Sequence, residues 1–250
     1  MCGILGAVGP PAAAVSEASD RLLAMLAHRG PDGHGVARLA ADGRPHPAGD
    51  RTPPHACLLH TRLAILDPTA SAAQPMASLD GRGILAFNGE IYDYREHRER
   101  LPREVLERLP SSGDTAVLVE LLRREGAAIL PRLTGMFAIA WIDADRGELL
   151  LARDRSGIKP LLYARVGGGI AFASEIPPLL EVPGIRRTAD LQRVHDFLCW
   201  NRNDGGSRTF FADIRQVPPG HLLRVPLAEP GRARLEAFAA EPRPQPADRI

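Results

Sequence analysis

Two stretches, MFAIAWIDADRGELLLARD and PLLYARVGGGIAFAS, constrain the fold of this chain more than any other part of it. In each, two apolar runs flank a short turn, and strands joined that closely must run antiparallel. CGILGAVG reads as a short buried strand. CLLHTRLAIL and GILAFNG read as two more, separated by the loop around QPM, and HLLRVPL is extended. Helical patterns cover Ser16 to Ala27, with Leu22, Leu23, Met25 and Leu26 on the apolar side, and Tyr92 to Leu109 with a break at Pro102. A third covers Thr115 to Glu125, where Val117, Leu118, Leu121 and Leu122 form a core-facing stripe, and a fourth begins at Leu191. Strands following one another as hairpins predict an α+β chain of antiparallel sheets with helices packed outside, not a doubly wound parallel sheet.

The punctuation is equally informative. HRGPDGHG carries three glycines and a proline, which predict a loop without regular structure. Residues 40–56 are polar and proline-rich and read as an exposed, mobile excursion. After Pro226 the composition turns to Pro, Arg, Ala and Glu. That places one domain at 2–226 and predicts a poorly ordered tail at 227–250.

Composition excludes several partner classes. With 31 basic against 30 acidic side chains the formal charge is +1, so nothing electrostatic favours nucleic acid or an anionic membrane. No apolar run approaches the roughly 18 residues of a membrane span, and no basic region opens a signal peptide. The three cysteines, Cys2, Cys57 and Cys199, are too widely spaced for a disulfide framework or a metal cage. His46, His55 and His60 lack metal-ligand spacing. A cytoplasmic chain without metal or cofactor is the expectation.

The chemistry starts at MCGILGAVG. Cys2 has a structural reading, as a small apolar side chain opening a buried strand. It has a chemical one as well. Removal of Met1 would leave a thiol and a free α-amine on one residue, a nucleophile with its base beside it. Arg62 could cap a strand, Asn88-Gly89 could be a plain turn, and Asp114 could cap the helix it precedes. Together they also match what glutamine hydrolysis needs. Cys2 would be the nucleophile, the Asn88–Gly89 pair the oxyanion hole, Arg62 the cation for the substrate carboxylate and Asp114 the anion for its ammonium group; chemistry alone permits that reading without requiring it.

The chain resembles the N-terminal glutaminase domain of glutamine-hydrolysing asparagine synthetases, which are class II glutamine amidotransferases. The segments that carry the resemblance include MCGILGAVG, HRGPDGHG, HTRLAILD, QPM, FNGEIYDYREHRERL, GDTAVLVELL, LLLARDRSGIKPLLY, FASEI and IRQVPPGHLLRV, in the family's order. The resemblance implies an N-terminal nucleophile hydrolase fold, a four-layer α-β-β-α sandwich of two antiparallel sheets. It implies Cys2 as nucleophile with its own α-amine as base, and Asn88 (side-chain amide) and Gly89 (backbone N–H) as oxyanion donors. Arg62 would hold the α-carboxylate and Asp114 the ammonium. The backbone of Leu63, Ala64, Ile65 and Leu66, with Glu90, would line the pocket, and Arg29 would support it.

Three positions depart from the family pattern: Asp93 where Asn is usual, Gly113 for Ser and Ala116 for Glu. An SGG-type pyrophosphate loop is also missing from the sequence. The implied function is hydrolysis of L-glutamine to glutamate and ammonia, with the ammonia passed to a synthetase partner in trans or within a homo-oligomer. Alternatives are a non-catalytic partner-binding remnant and a hydrolase of a different amide.

Overall fold

A computed structural model describes residues 1–47, 52–202 and 206–239. Its twelve strands form two six-stranded antiparallel sheets. The first sheet contains β1 (Gly3–Val8), β2 (Gly33–Leu39), β3 (Ala56–Arg62), β8 (Leu162–Val166), β9 (Gly169–Ala173) and β10 (Ile214–Gln216). Their order is β10-β8-β9-β1-β3-β2. The second contains β4 (Met76–Ala77), β5 (Gly83–Ile91), β6 (Gly135–Asp143), β7 (Glu148–Arg153), β11 (His221–Pro226) and β12 (Arg234–Ala237), in the order β12-β11-β7-β6-β5-β4. Both hairpins expected from the sequence form, as β6–β7 and β8–β9.

Side-chain alternation explains why these strands read as continuous apolar runs. Ile4, Leu58, Ala86, Ala138 and Leu223 face the space between the sheets. Their neighbours Leu5, Cys57 and Leu59 face helices α1 (Pro11–Glu17) and α2 (Ser19–Leu26). On the other side Leu85, Phe87, Phe137 and Trp141 face helix α5 (Asp114–Glu125). Each central strand is therefore apolar on both faces, and the result is the four-layer α-β-β-α sandwich. Helices α3 (Tyr94–Glu99) and α4 (Arg103–Leu106) bridge β5 to α5, α6 (Ile176–Leu179) follows β9, and α7 (Leu191–Trp200) precedes β10.

The structure corrects four local expectations. HRGPDGHG is only half a loop, because Gly33, His34 and Gly35 open β2, paired with Arg62, Thr61 and His60. Glycine is needed here for closeness: a Cβ on Gly35 would lie 2.3 Å from the Gln74 carbonyl oxygen. The helix expected over 16–27 is two helices, broken at Ala18. The strand expected through CLLHTRLAIL stops at Arg62.

The tail expected from 227 is structured well beyond that point. Leu227 and Ala233 are buried in the inter-sheet core, β12 pairs with β11, and Arg224 bridges Glu148 and Glu236. Two apolar anchors and one shared arginine hold a segment whose composition suggested none. Residues 240–250 of that expected tail lie outside the described residues, as do 48–51 of the expected excursion. Around the latter, His55 Nε2 is 2.6 Å from the Leu227 carbonyl oxygen and the His46 N–H donates to the Arg38 carbonyl.

Candidate active site

The register of the first sheet places the cysteine. Gly3 pairs with Thr61, so Cys2 comes level with Arg62, where β3 gives way to the turn Leu63–Leu66. The Leu63 N–H donates to Cys2 Sγ across 3.4 Å. Arg29 Nε donates to the Cys2 carbonyl at 3.0 Å, and its Nη1 pairs with Glu175 at 2.8 Å. Arg29 thus fixes the backbone that carries the thiol. A Cβ on Gly3 would meet Thr61 Oγ1 at 2.6 Å, so the close junction of β1, β3 and the Arg29 turn depends on glycine there.

Asn88 and Gly89 do not form a turn; they lie within β5. Along β5 the side chains alternate, with Phe87 facing α5 and Asn88, like Ala86, facing the first sheet. Ile4 and Leu58 face the same space, which puts Cys2, His60 and Arg62 on the inner face by the same parity. Asn88 is 1% exposed, and its Nδ2 has no hydrogen-bond partner among the described residues.

Gly89 pairs with Phe137 on β6. Phe137 gives its own N–H and C=O to Asp154 on the far side. The Gly89–Phe137 pair is therefore of the non-hydrogen-bonded kind, and the Gly89 N–H points off the opposite edge of β5. Its neighbours along that edge are occupied: the Phe87 N–H donates to Gln74 Oε1 at 2.7 Å and the Ile91 N–H to Asp114 Oδ2 at 3.0 Å. Between two taken donors, Gly89 and Asn88 present two open ones.

Both residues line a cavity of about 320 Å³, together with Cys2, Arg62, Leu63–Leu66, Glu90 and Asp114. Every residue expected to line the pocket is on its wall, and Arg29 lies behind it on the Cys2 carbonyl. Arg62 donates to the carbonyls of Asp67 and Thr69, which hold its guanidinium in the wall. Hydrogen bonds from Ser111 and Thr69 hold the Asp67 carboxyl down at about 2. Asp114 is the first residue of α5, not its cap; Gly113 occupies the cap position. Burial raises the Asp114 carboxyl above its usual range against the N–H donors of Ile91 and Thr115, and the neighbouring Glu90 charge raises it further. A cation entering beside Asp114 would relieve both effects.

Sequence reasoning missed several wall residues, among them Gln74, Thr115, Met136 and Lys159. All four lie in segments already singled out, Gln74 in QPM and Lys159 in LLLARDRSGIKPLLY among them, but nothing in the sequence showed which residues line the cavity. Asp154 organises the second by accepting the N–H groups of Ser156, Ile158 and Lys159. Of the three departures only Gly113 touches the cavity. Asp93 accepts the Thr134 N–H, and Ala116 is buried in the α5 core. Among the described residues no group of three or more His, Cys, Asp or Glu could hold a metal ion.

Residues 1–234 match the sequence model of the glutamine amidotransferase domain. The chain belongs to the class II glutamine amidotransferase family. It is 37% identical over 193 residues to a putative glutamine-hydrolyzing asparagine synthetase of Mycobacterium tuberculosis, covering 73% of this chain and 28% of that one. It is 32% identical over 201 residues to the amidase chyE of Penicillium rubens, covering 80% of this chain and 27% of that one. The chain thus spans less than a third of the length of either relative. In fold it resembles the glutamine phosphoribosylpyrophosphate amidotransferase of Bacillus subtilis, with a TM-score of 0.63 at 21% identity over 95% of this chain and 49% of that one.

Proposed function

We propose that this domain hydrolyses L-glutamine to glutamate and ammonia through a thioester on Cys2. The observation that carries the reading is the pair of open donors. Asn88 and Gly89 line the same cavity as Cys2; Asn88 Nδ2 has no hydrogen-bond partner among the described residues, and the strand register turns the Gly89 N–H away from β6.

Removal of Met1 exposes the Cys2 α-amine, whose ordinary pKa near ~8 suits a base working at neutral pH. The amine takes the thiol proton as Sγ attacks the amide carbon. The carbonyl π electrons move to oxygen, and the resulting oxyanion meets the Asn88 and Gly89 donors. Collapse breaks the C–N bond as the α-ammonium returns the proton to the leaving nitrogen, releasing ammonia. Water, deprotonated by the same amine, then attacks the thioester and releases glutamate. Arg62 pairs with the substrate α-carboxylate, while Asp114 and Glu90 receive its ammonium group.

The partner and the compartment are part of the same proposal. The ammonia passes to an ATP-dependent amide-forming domain, separate from the described residues. The exposed Leu191 and Leu198, seven residues apart on one face of α7, offer an apolar surface on which such a domain docks. A cytoplasmic setting suits a free catalytic thiol, and no described helix is long and apolar enough to cross a membrane.

A second reading, hydrolysis of a different amide, rests on the relative named as an amidase and on Gly113, which leaves the Asp114 side of the cavity without a side chain at that position. Ammonia release from glutamine, asparagine and a γ-glutamyl anilide distinguishes the two. Preferential release from glutamine supports the proposal, and turnover of other amides with glutamine inert replaces it by the second reading.

A further inference from the structure

We propose that His60 and Gln74 form a clamp on the Phe87 backbone that sets the position of both oxyanion donors. This rests on the roles proposed above for Asn88 and Gly89. Phe87 immediately precedes Asn88, and buried side chains grip the polar groups of both peptide units that flank its Cα. The N–H donates to Gln74 Oε1 at 2.7 Å, and the C=O accepts from His60 Nε2 at 3.0 Å. His60 is 0% and Gln74 7% exposed. His60 belongs to β3 of the first sheet and Phe87 to β5 of the second, so one bond of the clamp crosses the sandwich. It fixes the strand carrying Asn88 and Gly89 relative to the sheet carrying Cys2.

The chemistry of the imidazole supports a positioning role. Accepting from it, the Phe87 carbonyl requires a proton on Nε2, and Nδ1 is buried without a partner among the described residues. Burial pushes His60 down to about 4, with the Arg62 charge acting the same way against the Phe87 bond. At neutral pH the ring is therefore uncharged, in a single tautomer, and a fixed donor. His60 touches neither Cys2 nor the open donors by hydrogen bond, so it acts through the backbone it holds. The second grip explains the glycine of β2 as well. Gln74 reaches Phe87 because its backbone passes directly over Gly35, where a Cβ would collide.

The test uses His60→Leu, which keeps the bulk and removes the donor, and His60→Gln, whose amide can donate to the same carbonyl. Glutamine turnover should lose about tenfold or more in kcat in His60→Leu, with KM within about twofold, and recover most of it in His60→Gln. A readout independent of glutamine accompanies it. The Asn88 side-chain amide and Gly89 amide resonances, identified by their loss or shift in Asn88→Ala, should move and broaden in His60→Leu while those of β8 and β9 stay in place. If His60→Leu fails to fold, Gln74→Met removes the other grip and should give the same two signatures. A folded variant with unchanged kcat and unmoved Asn88 and Gly89 resonances overturns the clamp, as does an effect on KM alone. A wild-type protein that ignores glutamine would refute the proposed reaction, while the resonances would still judge the clamp.

Discussion

The Leu63 backbone N–H donates to Cys2 Sγ at 3.4 Å, and among the described residues no histidine or carboxylate hydrogen-bonds that sulfur. The thiol is oriented by main chain alone. A nucleophile without a side-chain base must find its base elsewhere, and the nearest candidate is its own α-amine.

Activity should therefore depend on a free N-terminus. Protein carrying an uncleaved tag ahead of Cys2 should hydrolyse glutamine at less than about a hundredth of the rate of protein with Cys2 exposed by proteolysis, the size of a general-base effect. Edman sequencing or intact mass beside the assay checks which form is active. Full activity in the tagged form would remove the amine from the mechanism.

The two groups of polar residues should separate kinetically. Arg62→Ala and Asp114→Asn should chiefly raise KM for glutamine, because the α-carboxylate and ammonium are bound alike in substrate and transition state. Asn88→Ala should instead lower kcat by about a hundredfold or more with KM little changed, as expected for a donor that meets charge only as it develops. Steady-state kinetics of the three variants distinguishes these outcomes.

How much of this site was legible in the sequence varies with the kind of interaction. Cys2, Arg62, Asn88 and Asp114 line one cavity, the grouping that the resemblance implies, although each taken singly has a structural reading. The alternation of Ile4 with Leu5 and of Ala86 with Phe87 was hidden, because strands buried on both faces lose their period-two signal. β2 was missed because Gly33 and Gly35 look like loop residues, and their purpose, letting Gln74 pass overhead, is a long-range contact. β12 was missed for a related reason: its attachment lies in Arg224, ten residues upstream of Arg234, and in two isolated apolar side chains. His60 lacks metal-ligand spacing in the sequence, and its bond to Phe87 reaches the other sheet, a contact that spacing does not reveal.

Stability should fall on the acid side through His60. Its pKa is about 6.5 unfolded and is pushed down to about 4 by burial in the fold. The unfolded chain therefore binds a proton that the folded one refuses. The contribution is complete above about 6.5 and is lost as pH falls towards 4, by an amount on the order of 3 kcal/mol. Thermal midpoints of wild type should drop more steeply between those values than those of His60→Gln. Parallel profiles would contradict the buried, neutral imidazole.

Gly89→Ala should be among the most damaging single changes. Its Cβ would lie 2.2 Å from the Met136 carbonyl oxygen and 2.8 Å from Phe137 Cα, both backbone atoms that cannot step aside. We expect a loss of about 1–3 kcal/mol or more in chemical denaturation, as for other overpacked core positions, together with loss of glutaminase activity. A variant of native stability would show that β5 and β6 are further apart than described here.

The proposed reaction passes through a covalent intermediate on Cys2, which rapid acid quenching of the protein during glutamine turnover should trap. Peptide mass spectrometry should find one γ-glutamyl group on the N-terminal peptide beginning at Cys2, with Met1 absent, and none on Cys57 or Cys199. Undiminished glutamine hydrolysis by a Cys2→Ala protein, with no adduct on any cysteine, would contradict it.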